Sequence, residues 1–207
     1  MFDKNEIFER FPELEACRED MEKALAALIA TAKADGKILC CGNGGSCADS
    51  DHIVGELMKG FLKKRPLCEA DRKRWQDAYG DDGAARLQGG IQAISLPSQA
   101  ALLSAYCNDC DPELVYAQLA WNYARENDIL IGLTTSGNSL NVVAAAKAAK
   151  LRGALVLGLT GMKESKLSAL ADVTIRVPIQ ETYRVQEYHL PVYHWLCAGV
   201  EDALFEK

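Results

Sequence analysis

The sequence predicts an α/β protein: a single doubly wound domain, residues 1–207, with a five-stranded parallel sheet flanked by helices. Three observations carry this. Short, continuous apolar runs recur: KILCC, IQAISL, DILIGL, ALVLGLT and DVTIRV. Strands covered on both faces read this way, because neither side meets water. The runs alternate with stretches of helical period. Two Gly- and hydroxyl-rich turns, GNGGS and TTSGNS, follow the first and third runs. In such folds ligands sit at the carboxyl ends of strands.

Each element has its own signal. MFDKNEIFERFPELE is acidic and amphipathic, with neither a basic nor a long apolar stretch, so no secretory signal is expected. Leu14 to Asp35 reads as a helix, with Leu14, Met21, Leu25, Leu28 and Ile29 on one stripe. Gly36 stands where a left-handed cap is common. Ser98–Tyr106, Pro112–Arg125, the Ala-rich run from Leu140 to Gly153, ESKLSALA and Thr182–Phe205 read as helices. Pro191 lies inside the last of these, where it removes one backbone hydrogen bond and predicts a kink. Residues 68–90 break the alternation. This charged stretch around Trp75 and Tyr79 is an inserted helical excursion, either a plain surface insertion or a flap over the site.

Composition excludes several classes. The chain has 207 residues, 49% hydrophobic and 25% charged, with net charge -6. Mean hydropathy is -0.09. An acidic chain without a long apolar run is expected to bind neither nucleic acid nor membrane, and to be cytoplasmic. Its eight cysteines are expected to be reduced, mostly small core residues. Cys40 and Cys41 point to opposite faces of a strand and cannot pair. A redox or metal role for Cys107-x-x-Cys110 lacks a second pair to complete it, and Cys47 reads as filler.

TTSGNS (Thr134, Thr135, Ser136, Gly137, Asn138, Ser139) combines hydroxyls with a helix N-terminus. That is either a phosphate cradle or a well-capped helix start. The lysine of a nucleotide P-loop is missing, and no acidic residue follows GNGGS at a dinucleotide spacing, so a monophosphate fits better. His52 and Glu56 stand at i and i+4 on the helix after GNGGS, a surface pair or part of a site. Gln186 and His194 lie on the last helix. His189 falls about 140° from His194 and reads as a surface or interface histidine.

Taken together and in order, CGNGGSCADSDHIVGELMKGFLKKRP, TTSGNSLNVVAAAKAAKLRGALVLGLTG and RVQEYHLPVYHWL resemble the sugar isomerase (SIS) domain family, and within it the phosphoheptose isomerase family. The resemblance spans nearly the whole chain except the insert. It implies a flavodoxin-like sheet and an aldose–ketose isomerase that converts sedoheptulose 7-phosphate to D-glycero-D-manno-heptose 7-phosphate through an enediol. It implies Glu56 and His194 as base and acid. Asn43, Gly44, Gly45, Ser46, Asn108, Asp109, Thr134, Thr135, Ser136, Ser139 and Gln186 would contact the phosphorylated sugar. In zinc-containing members His52, Glu56, Gln186 and His194 hold one Zn2+ per subunit. No nucleotide cofactor is implied. The family forms homotetramers with sites at subunit interfaces. Two other readings stay open: a non-catalytic regulator similar to the DnaA initiator-associating protein, and an isomerase for another phosphosugar. Gln186 and His194 are eight residues apart, ~12 Å along a straight helix. One ion could take both only if the helix bends at Pro191 or the ligands come from two copies; the apolar last helix favours the second.

Overall fold

The computed structural model describes residues 2–205. Two short N-terminal elements, α1 (Glu6–Arg10) and a 3-10 turn over Pro12–Cys17, lead into α2 (Arg18–Lys33). Then follow β1 (Ile38–Cys41), α3 (Gly45–Met58), α4 (Glu69–Tyr79), β2 (Ala93–Ser95), α5 (Ala100–Asp109) and α6 (Val115–Tyr123). The chain ends with β3 (Ile129–Leu133), α7 (Leu140–Leu151), β4 (Leu155–Thr160), β5 (Val173–Arg176) and α8 (Thr182–Leu204).

The five strands form one sheet of order β2-β1-β3-β4-β5. Every pairing is parallel. This is the flavodoxin-like order, whose topological switch lies between β1 and β3. The turns after those two strands are GNGGS and TTSGNS, so the two polar turns stand side by side at the crevice. Layering follows strand alternation. Ile38 and Cys40 join one apolar layer with α2 and α8 residues; Leu39 and Cys41 join the other with α6 and α7 residues. Among the described residues no helix is long and apolar enough to cross a membrane.

The sequence expectations need four corrections. The 14–35 helix is two pieces, and α2 begins at Arg18. The left-handed residue after it is Asp35 (φ 58), not Gly36. Gly36 is required for another reason: a Cβ there would stand 2.0 Å from the Asn127 carbonyl oxygen. ESKLSALA is a run of turns rather than a helix. Its serines satisfy each other's backbone: Ser165 N donates to Ser168 Oγ (2.7 Å) and Ser168 N to Ser165 Oγ (3.2 Å). Leu167 N donates to Gly137 O, and Lys166 N to Asn138 Oδ1, so amides a helix would use go to the TTSGNS turn. The last helix stands nearly as expected: α8 spans Thr182–Leu204 with Pro191 inside it. Finally, Cys68, Cys107 and Cys110 are exposed rather than core. The insert does form a helical excursion: α4 and a 3-10 turn over Gly83–Arg86. No α4 residue is buried.

Candidate active site

The crevice is built first from backbone. Gly44 caps α3 with φ 57 and ψ -121, a conformation open to glycine and strained for any other residue. Gly45 opens the helix against Gln186, whose amide lies 2.7–2.9 Å from where a Gly45 Cβ would stand. Tyr116 Oη donates to the Gly42 carbonyl at 2.9 Å and holds the turn from behind. Asn43 and Asn141 exchange paired side-chain hydrogen bonds, both 2.9 Å, and so clamp the first turn to the start of α7. Asn141 was not singled out in the sequence. Its position in the first turn of the helix after SGNS is the signal that could have marked it.

The second turn is ordered in the same way. Thr134 and Ser139 hydroxyls meet at 2.8 Å. Ser136 Oγ accepts the Asn138 backbone N–H at 3.1 Å. Thr135, Ser136 and Asn138 border a cleft of about 250 Å³, closed on its far side by Gly161, Met162 and Lys163. The β4–β5 loop thus brings one lysine, Lys163, and one glutamate, Glu164, to the border of this cleft. Not every expected binder faces this space. Ser46 is 3% and Thr134 4% exposed, both turned inward. Asn108 and Asp109 are exposed on α5 and hydrogen-bond to each other at 2.8 Å, without touching the other site residues.

The titratable cluster lies farther along α3. This helix and α8 run side by side in the same direction. Gly45 faces Gln186 at one level, and Asp49 and His52 face Tyr193 and His194 at the next. His52 is the hub. Its Nε2 lies 3.2 Å from Glu56 Oε1 and 3.4 Å from His194 Nε2. Its Nδ1 lies 2.9 Å from Tyr193 Oη, which donates to Asp49 Oδ1 at 3.2 Å. Glu56 is 14% exposed, and Lys59 Nζ holds its other oxygen at 2.9 Å. Burial, then His52, lower the His194 pKa from its ordinary value. Burial raises that of Asp49. Burial, then Asp49, raise that of Tyr193, which stays a neutral phenol. His52, Glu56 and His194 thus meet within one chain.

Below the cluster a buried ion pair ties the two helices together. Arg65 and Glu201 side chains are 0% and 1% exposed, with Nε–Oε1 at 2.7 Å. Arg65 also donates to the Leu57 carbonyl (2.7 Å) and the Glu56 carbonyl (3.2 Å) at the end of α3. Glu201 accepts the backbone N–H groups of Phe61, Leu62 and Lys63. Burial pushes the Glu201 pKa up, but those N–H groups and Arg65 outweigh it and leave it lowered. The loop so fixed sets the Phe61 ring 5.4 Å from the His194 ring.

The donor types suit a zinc ion: two imidazole nitrogens and a carboxylate oxygen. Two ligands on tetrahedral zinc stand ~3.3 Å apart, close to the two spacings around His52. The arrangement is a chain centred on His52. Among the described residues no group of three or more His, Cys, Asp or Glu side chains is placed to hold a metal ion as the side chains stand. Gln186 stays at the Gly45 level, so three of the four expected ligands come together and the fourth does not. His189 is corrected too. It is wholly buried, with neither ring nitrogen hydrogen-bonded to a side chain. Burial pushes its pKa down to about 4.

Known proteins share this architecture. Two SIS domain models match residues 110–192 and 4–89. A phosphoheptose isomerase of Rhodospirillum rubrum is 35% identical over 194 residues, covering 94% of this chain and 91% of the relative. That of Aneurinibacillus thermoaerophilus is 35% identical over 171 residues, covering 83% and 75%. The structure of phosphoheptose isomerase GmhA from Neisseria gonorrhoeae superposes with a TM-score of 0.75 at 30% identity, covering 95% of this chain and 93% of that one.

Proposed function

The chain belongs to the SIS domain family, among its phosphoheptose isomerases, and from that premise we propose that Glu56 and His194 carry its aldose–ketose isomerisation. The enzyme is a sugar-phosphate isomerase, and its reaction is the interconversion of sedoheptulose 7-phosphate and D-glycero-D-manno-heptose 7-phosphate. The observation that carries the residue assignment is the Glu56–His52–His194 contact, two turns along α3 from the crevice.

The chemistry asks for two groups. A base takes a proton from C1 of the ketose while an acid protonates the carbonyl oxygen at C2, giving an enediol. The proton is returned at C2, and the O1 hydroxyl gives up its own, leaving an aldehyde. No electrons leave the sugar. The Glu56 carboxylate is suited to the carbon-bound proton, and the His194 imidazole to the oxygen-bound one. Lys59 Nζ, 2.9 Å from Glu56 Oε2, would orient the Glu56 carboxylate. Ser136, Thr135, Ser139 and the amides of both turns would hold the phosphate, with Lys163 adding a positive charge. Asn43, bonded to Asn141, would present a fixed amide to the sugar hydroxyls.

His52, Glu56 and His194 are the residues that would hold a zinc ion, which when bound supplies a Lewis acid for the carbonyl oxygen. Gln186, together with Gly44 and Gly45, is placed for the substrate instead. A homotetramer in the cytoplasm completes the proposal. The exposed apolar residues Leu102, Leu114, Trp121 and Leu140 on α5, α7 and the stretch between them support an interface there, and it would give Asn108 and Asp109 a site to face.

A panel of seven-, six- and five-carbon sugar phosphates tests the substrate, with turnover expected on the seven-carbon ketose alone. Light scattering tests the assembly. Mixing Glu56→Gln with His194→Ala chains tests the single-chain assignment. Such hybrids are expected to stay inactive, and restored turnover would place the two residues on different subunits.

A further inference from the structure

We infer that Cys107 and Cys110 are a redox-modification site: they close a reversible disulfide that pulls on the Asn108–Asp109 pair between them. Both thiols are free and exposed. They stand at i and i+3 at the last turn of α5, where the Cys110 N–H still donates to the Tyr106 carbonyl at 2.9 Å. Helical geometry therefore sets their Cα atoms ~5 Å apart, inside the ~4.4–6.8 Å that a disulfide spans. A structural metal site would need a second pair of ligands; a thiol–disulfide couple needs only this one.

The other cysteines are poorly placed for such a bond. Cys17, Cys40, Cys41 and Cys197 are buried, and Cys47 is half-buried. Burial pushes the thiols of Cys17, Cys41 and Cys197 up to about 12, which keeps them protonated and unreactive. Cys68 is exposed, but no second cysteine lies within a helical turn of it, and its Sγ donates to Asp71 Oδ2 at 3.2 Å. The oxidant for Cys107 and Cys110 is a small-molecule disulfide. One cysteine thiolate attacks it, expels one thiolate and leaves a mixed disulfide. The second cysteine thiolate attacks the protein-borne sulfur and expels the other. The two cysteines give up two electrons and two protons, and the small disulfide takes them up as two thiols.

Closing the bond has a mechanical consequence. Side chains at i and i+3 on a helix carry Cβ atoms ~5–6 Å apart, whereas a disulfide draws them to ~3.5–4.5 Å. The last turn of α5 must tighten to make up the difference. It can do so, because no α5 residue is buried. Beyond Cys110 the chain is fastened: Asp111 Oδ1 accepts the Glu113 N–H at 2.9 Å, and Pro112 opens a 3-10 turn over Pro112–Leu114. The movement therefore falls on Asn108 and Asp109, whose side chains are joined at 2.8 Å. Oxidation thus re-aims a substrate contact without touching Glu56 or His194.

The effect on activity rests on the reading that sets Asn108 and Asp109 against the sugar; the disulfide does not, and mass reads it directly. Trypsin releases residues 87–125 as one peptide that holds Cys107, Cys110 and no other cysteine. The assembled native protein is equilibrated with glutathione of rising oxidised fraction and then alkylated. The expected product is this peptide unalkylated and lighter by two hydrogens, a change that a dithiol reductant reverses. Oxidation should raise KM about tenfold, as the loss of one charge-assisted hydrogen bond would, with kcat held. Reduction should restore KM, and Cys107→Ser and Cys110→Ser should each abolish the response. Two alkylated thiols after oxidation, as when the assembly covers them, would overturn the inference. So would glutathione retained on one thiol without ring closure, or a disulfide that leaves KM unchanged. None of these results touches the isomerase assignment, which the sugar panel decides separately.

Discussion

At its first residue α3 is shaped by glycines and neutral amide side chains: Gly44 in a left-handed conformation, Gly45 against Gln186, and the Asn43–Asn141 clamp beside them. At its last turn the same helix is held by charged side chains: Arg65 on the Glu56 and Leu57 carbonyls, and Glu201 on the loop beyond. The first end offers amides and hydroxyls to a dianion. Its parts are redundant, since several donors share one charge. The second end must keep one carboxylate and one imidazole at one spacing, with nothing to substitute for either. Loss of a single group should therefore cost little at the crevice and much at the cluster.

The largest test of that contrast is Arg65→Met. Removing one partner of a buried pair leaves Glu201 without its counter-ion, a loss that typically costs about 3–5 kcal/mol and is cushioned here by the three backbone N–H groups it accepts. Urea unfolding should show this loss, and activity should fall with it even in protein that remains folded. Retained stability would mean that the α3–α8 tie is dispensable. Next is Glu56→Gln, which keeps shape and removes the base. The expected drop in kcat is at least ~10²-fold, with phosphate binding preserved. Near-normal turnover would remove Glu56 from the chemistry.

His189 lies on α8 between the two ends and sharpens the comparison through pH. It is buried neutral, with its pKa pushed down to about 4. The unfolded chain takes up a proton near the ordinary histidine value while the folded one does not. Stability must therefore fall as pH drops below ~6.5, levelling out near 4. Between pH 7.5 and 5 the loss is about 2 kcal/mol. His189→Leu should flatten that part of the curve in unfolding experiments at both pH values, and an unchanged slope would contradict its burial. The smallest effect belongs to the crevice. Ser136→Ala removes one hydroxyl among several donors, so KM should rise by about tenfold, equivalent to ~1.4 kcal/mol, with kcat held. A larger change confined to kcat would move Ser136 out of the phosphate cradle.

How far the sequence could be read follows the same divide. The strands, their parallel order and both polar turns were legible, because continuous apolar runs and Gly-rich turns are local signals. So was the His52–Glu56 spacing, since i and i+4 meet on any helix. The Asn43–Asn141 clamp, the Tyr193–His52 contact and the Arg65–Glu201 pair were not. Each joins residues 98 or more positions apart, and no local period marks such pairs. His189 was misread for a related reason. Helical geometry gave its angle from His194 but not that this face of α8 turns into the core. ESKLSALA was misread because its serine hydroxyls and the TTSGNS turn captured amides that a helix would have used.

The stem of the insert has a use of its own. Pro66 and Gln88 pair across its base, the Gln88 side chain accepts the Gly60 amide, and Gly89 N donates to Arg65 O. Between those points α4 buries nothing, and its Trp75 is spent on Asp81, inside the excursion. A chain that leaves and returns through a fastened neck is a natural socket. The helical stretch could be exchanged for a foreign domain, a fluorophore or a tether, because lengthening a closed surface loop adds only a slowly growing entropic term. The neck itself would need to stay, since its Arg65 also braces the end of the helix that bears Glu56.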